Sequence, residues 1–192
     1  MNEKQIQRGR KVRSSFLEAA REIIVTEGVE NVSVRRVADM AGYSYAAIYN
    51  YFADTGDLLL ETKGVMLQDV MAHMMQNFPV EISSAEDFKT LCRRYIDYYV
   101  QHPHIFEFFY TYRLRQGKSA LPKGFDFNSI NMRGFANLAQ NWHLPEADVV
   151  VVMKTIIYAM HGALVLYFYD NGVHKEDLYA DADRMIEYLL KK

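Results

Sequence analysis

Apolar side chains recur along this chain at steps of three and four residues, the period of helices that bury one face, and no stretch alternates as a strand does. Phe16, Ala19, Ala20, Ile23 and Ile24 form one such stripe and predict a first helix over 12–26, stopped at Gly28. Ser33 is a natural N-cap for a short second helix that turns Val34, Val37 and Ala38 inward. Gly42 breaks the chain, Ser44 is expected to cap a third helix over 45–51, and Ile48 and Phe52 anchor it. A long fourth helix over 54–77 opens on Asp54 and Asp57, a weaker form of the capping box, and carries Leu58, Leu59, Val65, Met66, Val70 and Met74. Pro79 and the Ser83–Ser84 pair mark a loop. Further helices are predicted over 85–101, ended by His102–Pro103, then over 103–115, 128–142, 145–170 and 175–191. Residues 116–127, with Gly117, Pro122 and Gly124, form a loop, and Gly172 separates the last two helices. The fold class is all-α with about nine helices: a three-helix domain over 1–53 and a larger helical domain over 54–192.

Composition narrows the class. The chain has 192 residues, 50% apolar and 24% charged, with a net charge of -2, which suits a globular protein with a real core rather than a solvated disordered chain. A single cysteine, Cys92, leaves no intrachain disulfide framework and no Cys-rich zinc site, so a reducing, cytoplasmic compartment is expected. No run of uninterrupted apolar residues approaches the ~18–20 of a membrane span, and the polar start is not a signal peptide. Charge is unevenly spread. Lys4, Arg8, Arg10, Lys11 and Arg13 crowd the start, whereas Glu146, Asp148, Asp170, Glu176, Asp177, Asp181, Asp183 and Glu187 make the last fifty residues acidic. Such asymmetry suggests that one end faces an anion.

Residues 33–52 read SVRRVADMAGYSYAAIYNYF. Two short helices, an inward apolar face and a glycine where φ must turn positive make a helix-turn-helix, whose second helix ends in unpaired N–H groups suited to phosphate. At Ser33, Val37-Ala38, Ala41-Gly42, Ser44 and Ile48-Tyr49-x-Tyr51-Phe52, followed by Leu58, the chain resembles the TetR family of bacterial transcriptional regulators. Phe16, Ala19 and Gly28 extend the resemblance over about residues 10–62. Two positions depart from it: Ala46 stands where the family usually has glycine, and Thr55-Gly56 where it has lysine and an acid. A methyl at Ala46 loosens the approach to DNA or meets a thymine methyl.

The resemblance implies a homodimer on a double-stranded DNA operator. Ser33 and its helix start are expected to hold phosphate, with Arg35 or Arg36 adding charge or a base contact; a solvated face is the alternative for both arginines. Ser44, Tyr45 and Ala46 lie where side chains reach base edges, Tyr49 and Tyr51 match phosphate-binding positions, and Thr55 keeps at most a hydroxyl contact. Tyr51 can equally pack inside. The basic start is either a DNA arm or a disordered tail.

The larger domain is rich in rings. The resemblance implies an effector pocket there, and Tyr95, Tyr99, Phe106, Phe109, Tyr110, Phe135, Tyr158, Met160 and His161 are its candidate lining, suited to a bulky apolar or aromatic molecule. Helical packing is the competing explanation for each ring, and His161 suits a pocket or a satisfied core position. Val149, Met153 and Ile156 on one predicted helix and Leu178, Ala182, Met185 and Leu189 on the next are expected to pair two subunits as a four-helix bundle. His102-x-His104 has no third ligand nearby, so no metal and no cofactor is expected. No nucleophile elbow, P-loop or dinucleotide fingerprint appears, and no enzyme is expected. The function read from the sequence is a ligand-responsive transcriptional regulator, a repressor released by its effector. The alternative is a small-molecule-binding protein that keeps the helix-turn-helix without specific DNA recognition.

Overall fold

The computed structural model describes residues 3–76, 84–113, 140–142 and 145–190, and every regular element among them is helical. These are α1 (Glu3–Glu27), a 3₁₀ turn (Val29–Asn31), α2 (Val34–Ala41), α3 (Tyr45–Ile48), α4 (Thr55–Met75), α5 (Ala85–Gln101), α6 (Pro103–Phe106) prolonged by a π turn (Glu107–Thr111), α7 (Glu146–Phe168) and α8 (Lys175–Leu190). The loops expected around Pro79 and over 116–127 lie outside the described residues, as does the helix expected over 128–142 except for 140–142.

Three elements differ from expectation. The first helix begins at Glu3 rather than at residue 12, because the Lys, Gln and Arg residues before Val12 are good helix formers and Gly9 keeps an ordinary φ. The third helix closes at Ile48, and Tyr49 to Tyr51 form a turn. The sixth keeps α winding only to Phe106, then widens so that the Tyr112 N–H reaches the Glu107 carbonyl at 2.8 Å, five residues back.

Of the described residues, 3–70 and 102–113 form one compact unit, and 71–76, 84–101, 140–142 and 145–190 a second. In the first, Phe16 is fully buried at the centre of Ala20, Ile23, Val37, Ala38, Ile48, Phe52 and Leu58. Its ring lies 5.2 Å from that of Tyr43, 5.8 Å from Tyr51 and 6.3 Å from Phe52, the separations at which tilted aromatic pairs attract. Arg13–Glu61 and Arg21–Asp69 (2.9 Å) tie α1 to α4 at the same sequence separation. Gly28 has φ 94°, and a Cβ there would meet the side chains of Glu30 at 3.0 Å and His104 at 3.2 Å.

In the second unit, α5 packs on α7 and α8 and α7 on α8. Phe88, Cys92, Ile96 and Tyr99 of α5, Ile156, Met160 and Leu164 of α7, and Leu178, Ala182 and Ile186 of α8 are buried. Burial pushes the Cys92 thiol up to about 12, which leaves it inert at neutral pH. Around this core Lys89 bridges Glu187 (2.8 Å) and Glu86 (2.9 Å), Arg93 pairs with Asp183, and the Tyr179 hydroxyl donates to Asp97.

The long helix α7 is the most apolar element among the described residues, although no uninterrupted run in it is as long as a membrane span. By length and composition Ala147–Phe168 is apolar enough to cross a membrane: its most apolar 18-residue stretch has a mean hydropathy of 2.0, and 28% of that stretch is buried. Its charges, Asp148 and Lys154, interrupt the run in sequence without making it polar.

Candidate nucleic-acid interface

Local chemistry shapes the helix-turn-helix at every joint. Ser33 is extended (φ -132°, ψ 149°) and its hydroxyl accepts the Arg36 N–H at 3.3 Å, the bond that starts α2. At the other end Gly42 sits at φ 77°, so its N–H reaches the Asp39 carbonyl at 3.1 Å while the Tyr43 N–H reaches Ala38 at 2.9 Å. That pair of crossed bonds is the Schellman closure, which needs a left-handed residue at this point. Tyr43 then lays its ring on Phe16 and fixes the exit of the turn.

The next helix, α3, is one turn long, and its inner anchor Ile48 is buried. Tyr45, Ala46 and Tyr49 point outward, with Tyr45 52% and Tyr49 47% exposed. Their hydroxyls lie 2.8 Å apart and their rings meet edge to face at 5.3 Å. Hydrogen bonding with Tyr45, which favours the neutral phenol when Tyr49 donates, raises the Tyr49 phenol above its ordinary value. Ser44 is extended but makes no side-chain capping bond, which corrects its expected role as a cap: ψ 148° is suitable, yet the hydroxyl is not turned to the helix.

The remaining candidates separate. Arg35 is exposed and, among the described residues, forms no ion pair, whereas Arg36 is held by Glu27 at the end of α1. Tyr51 is half-buried against Phe16. Thr55 opens α4, where Asp54 accepts the Asp57 N–H at 2.8 Å and Asp57 accepts the Ala53 N–H at 3.1 Å. Two carboxylates therefore already satisfy that terminus, and a phosphate there would meet negative charge. The basic start is helical rather than a disordered tail: Lys4, Arg8, Arg10 and Lys11 are exposed residues of α1, and Arg13 turns back over the Phe52 ring at 5.4 Å to reach Glu61.

Of the ring residues proposed for an effector, Tyr95, Tyr99 and His161 meet in the second unit. The Tyr95 and Tyr99 rings are 4.8 Å apart, and the Tyr95 hydroxyl lies 2.7 Å from His161 Nε2. His161 Nδ1 faces the Ile157 carbonyl at 2.7 Å, so Nδ1 carries the proton and Nε2 accepts from Tyr95. Burial lowers the His161 pKa and favours this neutral ring. Met160 is buried on the same helix, and Tyr158 is 55% exposed on another side of it. Phe106, Phe109 and Tyr110 gather in the first unit, with Tyr110 5.1 Å from Phe106 and 6.1 Å from Phe109. Phe135 lies outside the described residues.

The residues expected to pair subunits are placed differently. Val149, Met153, Ile156, Leu178 and Ala182 are buried in the core of the second unit, and Met185 and Leu189 are half-buried. What α7 turns outward is Val151 (63% exposed), Tyr158, Leu166 and Tyr169, with Thr155 and Gly162 between them, a stripe at steps of three and four. His102 and His104 belong to no group of three potential metal ligands among the described residues.

Sequence reasoning missed Lys63. It lies in α4, 5% exposed, and its ammonium donates to the carbonyls of Phe108 (3.1 Å) and Phe109 (2.8 Å) while sitting over both rings. Those carbonyls lie in the π turn at the C-terminal end of the helix, where a cation is favourable. A lysine inside an otherwise apolar stripe was the signal available.

A helical protein with a capped helix-turn-helix in its first unit and a second helical unit after it is the class these features define. A sequence profile described as "Bacterial regulatory proteins, tetR family" matches residues 16–62. No curated protein matches the chain. Among solved structures, a tetR-family transcriptional regulator from Streptomyces coelicolor is 16% identical, with 94% of this chain and 80% of that one covered and a TM-score of 0.71. RolR in complex with resorcinol is 17% identical (97% and 96% covered, TM-score 0.60). The fatty acid degradation regulator FadR from Bacillus halodurans is 18% identical (94% and 95% covered, TM-score 0.54). At these identities the likeness is one of fold. Residues 16–62 thus match that family's N-terminal segment, and the chain shares the fold of such regulators.

Proposed function

We propose that this protein is a ligand-responsive transcriptional regulator, a repressor that binds a palindromic operator as a homodimer and is released by a small effector. The observation that carries the reading is the outward face of α3, where Tyr45, Ala46 and Tyr49 stand exposed on a capped helix-turn-helix beside an unengaged Arg35. In this reading Ser33, Arg35 and Tyr49 hold phosphate, Ser44, Ala46 and the ring of Tyr45 meet base edges, and Arg36, Tyr51 and Thr55 support the frame. Two subunits place their α3 helices in successive major grooves, ~34–36 Å apart. The effector binds near Tyr95, Tyr99 and His161, whose hydroxyl–imidazole pair suits a hydroxylated aromatic ring; the resorcinol-bound neighbour supports that chemistry. It acts by binding one of two conformations better than the other. The protein works in the cytoplasm.

Selection from sheared genomic DNA tests the reading. An enriched palindrome is expected, and on that duplex Arg35→Ala should weaken binding and lower the salt slope by about one, the loss of one phosphate contact. Only sequence-blind, salt-labile retention would favour the second reading, a small-molecule-binding protein without specific DNA recognition. The carboxylates of Asp54 and Asp57 at the start of α4 are the observation on its side.

A further inference from the structure

The two exposed tyrosines of α3 share more than a face. They are four residues apart, one turn of helix, and their hydroxyl oxygens are 2.8 Å from each other. Two phenols so placed hold two protons between them. One proton lies in the mutual hydrogen bond, and one is left for an outside acceptor whichever hydroxyl donates inward. The edge-to-face ring contact at 5.3 Å limits the rotation of both side chains, although each is about half exposed. The arrangement is specific to a tyrosine at position 45, since an aliphatic residue there would leave the Tyr49 hydroxyl to turn freely.

We infer that Tyr45 and Tyr49 act on DNA as one unit that donates a single hydrogen bond to one backbone phosphate oxygen, with Tyr45 as the positioning residue for Tyr49. This rests on the DNA-binding reading above. With its own proton turned to the phosphate, Tyr49 accepts from Tyr45, and that second bond polarises its hydroxyl, as chains of hydrogen bonds do. The ring contact means that less side-chain freedom is lost on binding.

A double-mutant cycle on one duplex recovered by the genomic selection tests the inference by fluorescence anisotropy. Tyr49→Phe should weaken binding roughly tenfold, the low end for a hydrogen bond to a charged group. Tyr45→Phe should cost about threefold in the wild-type background, the order expected for freeing one side chain, and nothing further once residue 49 is Phe. Neither change should alter the salt slope, because no charge is removed, nor the thermal midpoint, because both rings are exposed. Neutral methylphosphonates placed singly along the duplex should include one position per half-site at which the Tyr49→Phe loss vanishes. Equal Tyr45→Phe losses in both backgrounds, no loss in either, or no methylphosphonate position that removes the Tyr49 effect overturns the inference and leaves the regulator reading standing. A wild-type protein that retains no selected duplex overturns both.

Discussion

Lys63 shows how a single side chain acquires a role from its surroundings. Its ammonium caps the π turn through the Phe108 and Phe109 carbonyls, yet burial of the charge lowers its pKa to about 8 from an ordinary value near 10.5. The unfolded chain therefore binds a proton more tightly at this position than the folded one does. Stability attributable to Lys63 is lowest below pH 8, where both states are charged and the folded state carries the full burial cost. It rises between pH 8 and about 10.5 as the folded amine loses its proton first. Thermal melts of wild type and Lys63→Met across pH 7–10 check this: the difference between them should move in favour of the wild type as pH rises, and a constant difference would refute it. Sequence made this residue conspicuous only as a charge in an apolar stripe. Its partners are more than forty residues away, and no local pattern names them.

At the scale of elements, the helix-turn-helix was legible because its instructions are local. Ser33 as cap, Gly42 as left-handed stop and the buried Val37, Ala38 and Ile48 each act within a turn or two. Gly42→Ala should destabilise the protein by about 1 kcal/mol, since a Cβ there meets nothing within 4 Å and only the strain of positive φ remains. Gly9→Ala has equally open space but an ordinary helical backbone in α1, and should stabilise by about 0.5–1 kcal/mol. Calorimetry of the two variants should show opposite shifts of the melting temperature; shifts of the same sign would sink the argument. Two elements differ from their local pattern. The sixth helix widens into π winding where Lys63 takes its carbonyls, and Ser44 leaves its helix uncapped although its type and place are those of a cap. The early start of α1 was a local signal overlooked, since its basic residues are also helix formers.

The whole molecule turns on α7. A helix apolar on every side gives no sequence clue to which face meets its own subunit, and that is why Val149, Met153 and Ile156 were expected at a subunit boundary and are found in the core. The stripe of Val151, Tyr158, Leu166 and Tyr169 is left outward, and an exposed apolar seam at steps of three and four is the surface a second copy of the helix can pack against. If the proposed dimer pairs through this stripe, Val151→Glu with Leu166→Glu should give a monomer in sedimentation velocity with little change in helix content, whereas Met153→Ala should cost about 2–5 kcal/mol of stability as a core cavity does. A dimer that survives both charges would place the pairing face elsewhere.

The residue pattern alone determined the helical class, the boundaries of most helices and the helix-turn-helix with its outward tyrosines, because periodicity, caps and glycine stops act over a few residues. Tertiary structure alone decided which arginine of the Arg35–Arg36 pair stays open, which rings gather around His161, what Lys63 caps and which face of α7 is spent inside. Those outcomes depend on contacts between residues far apart in the chain, where several partners of equal chemistry compete and only the packed geometry selects among them.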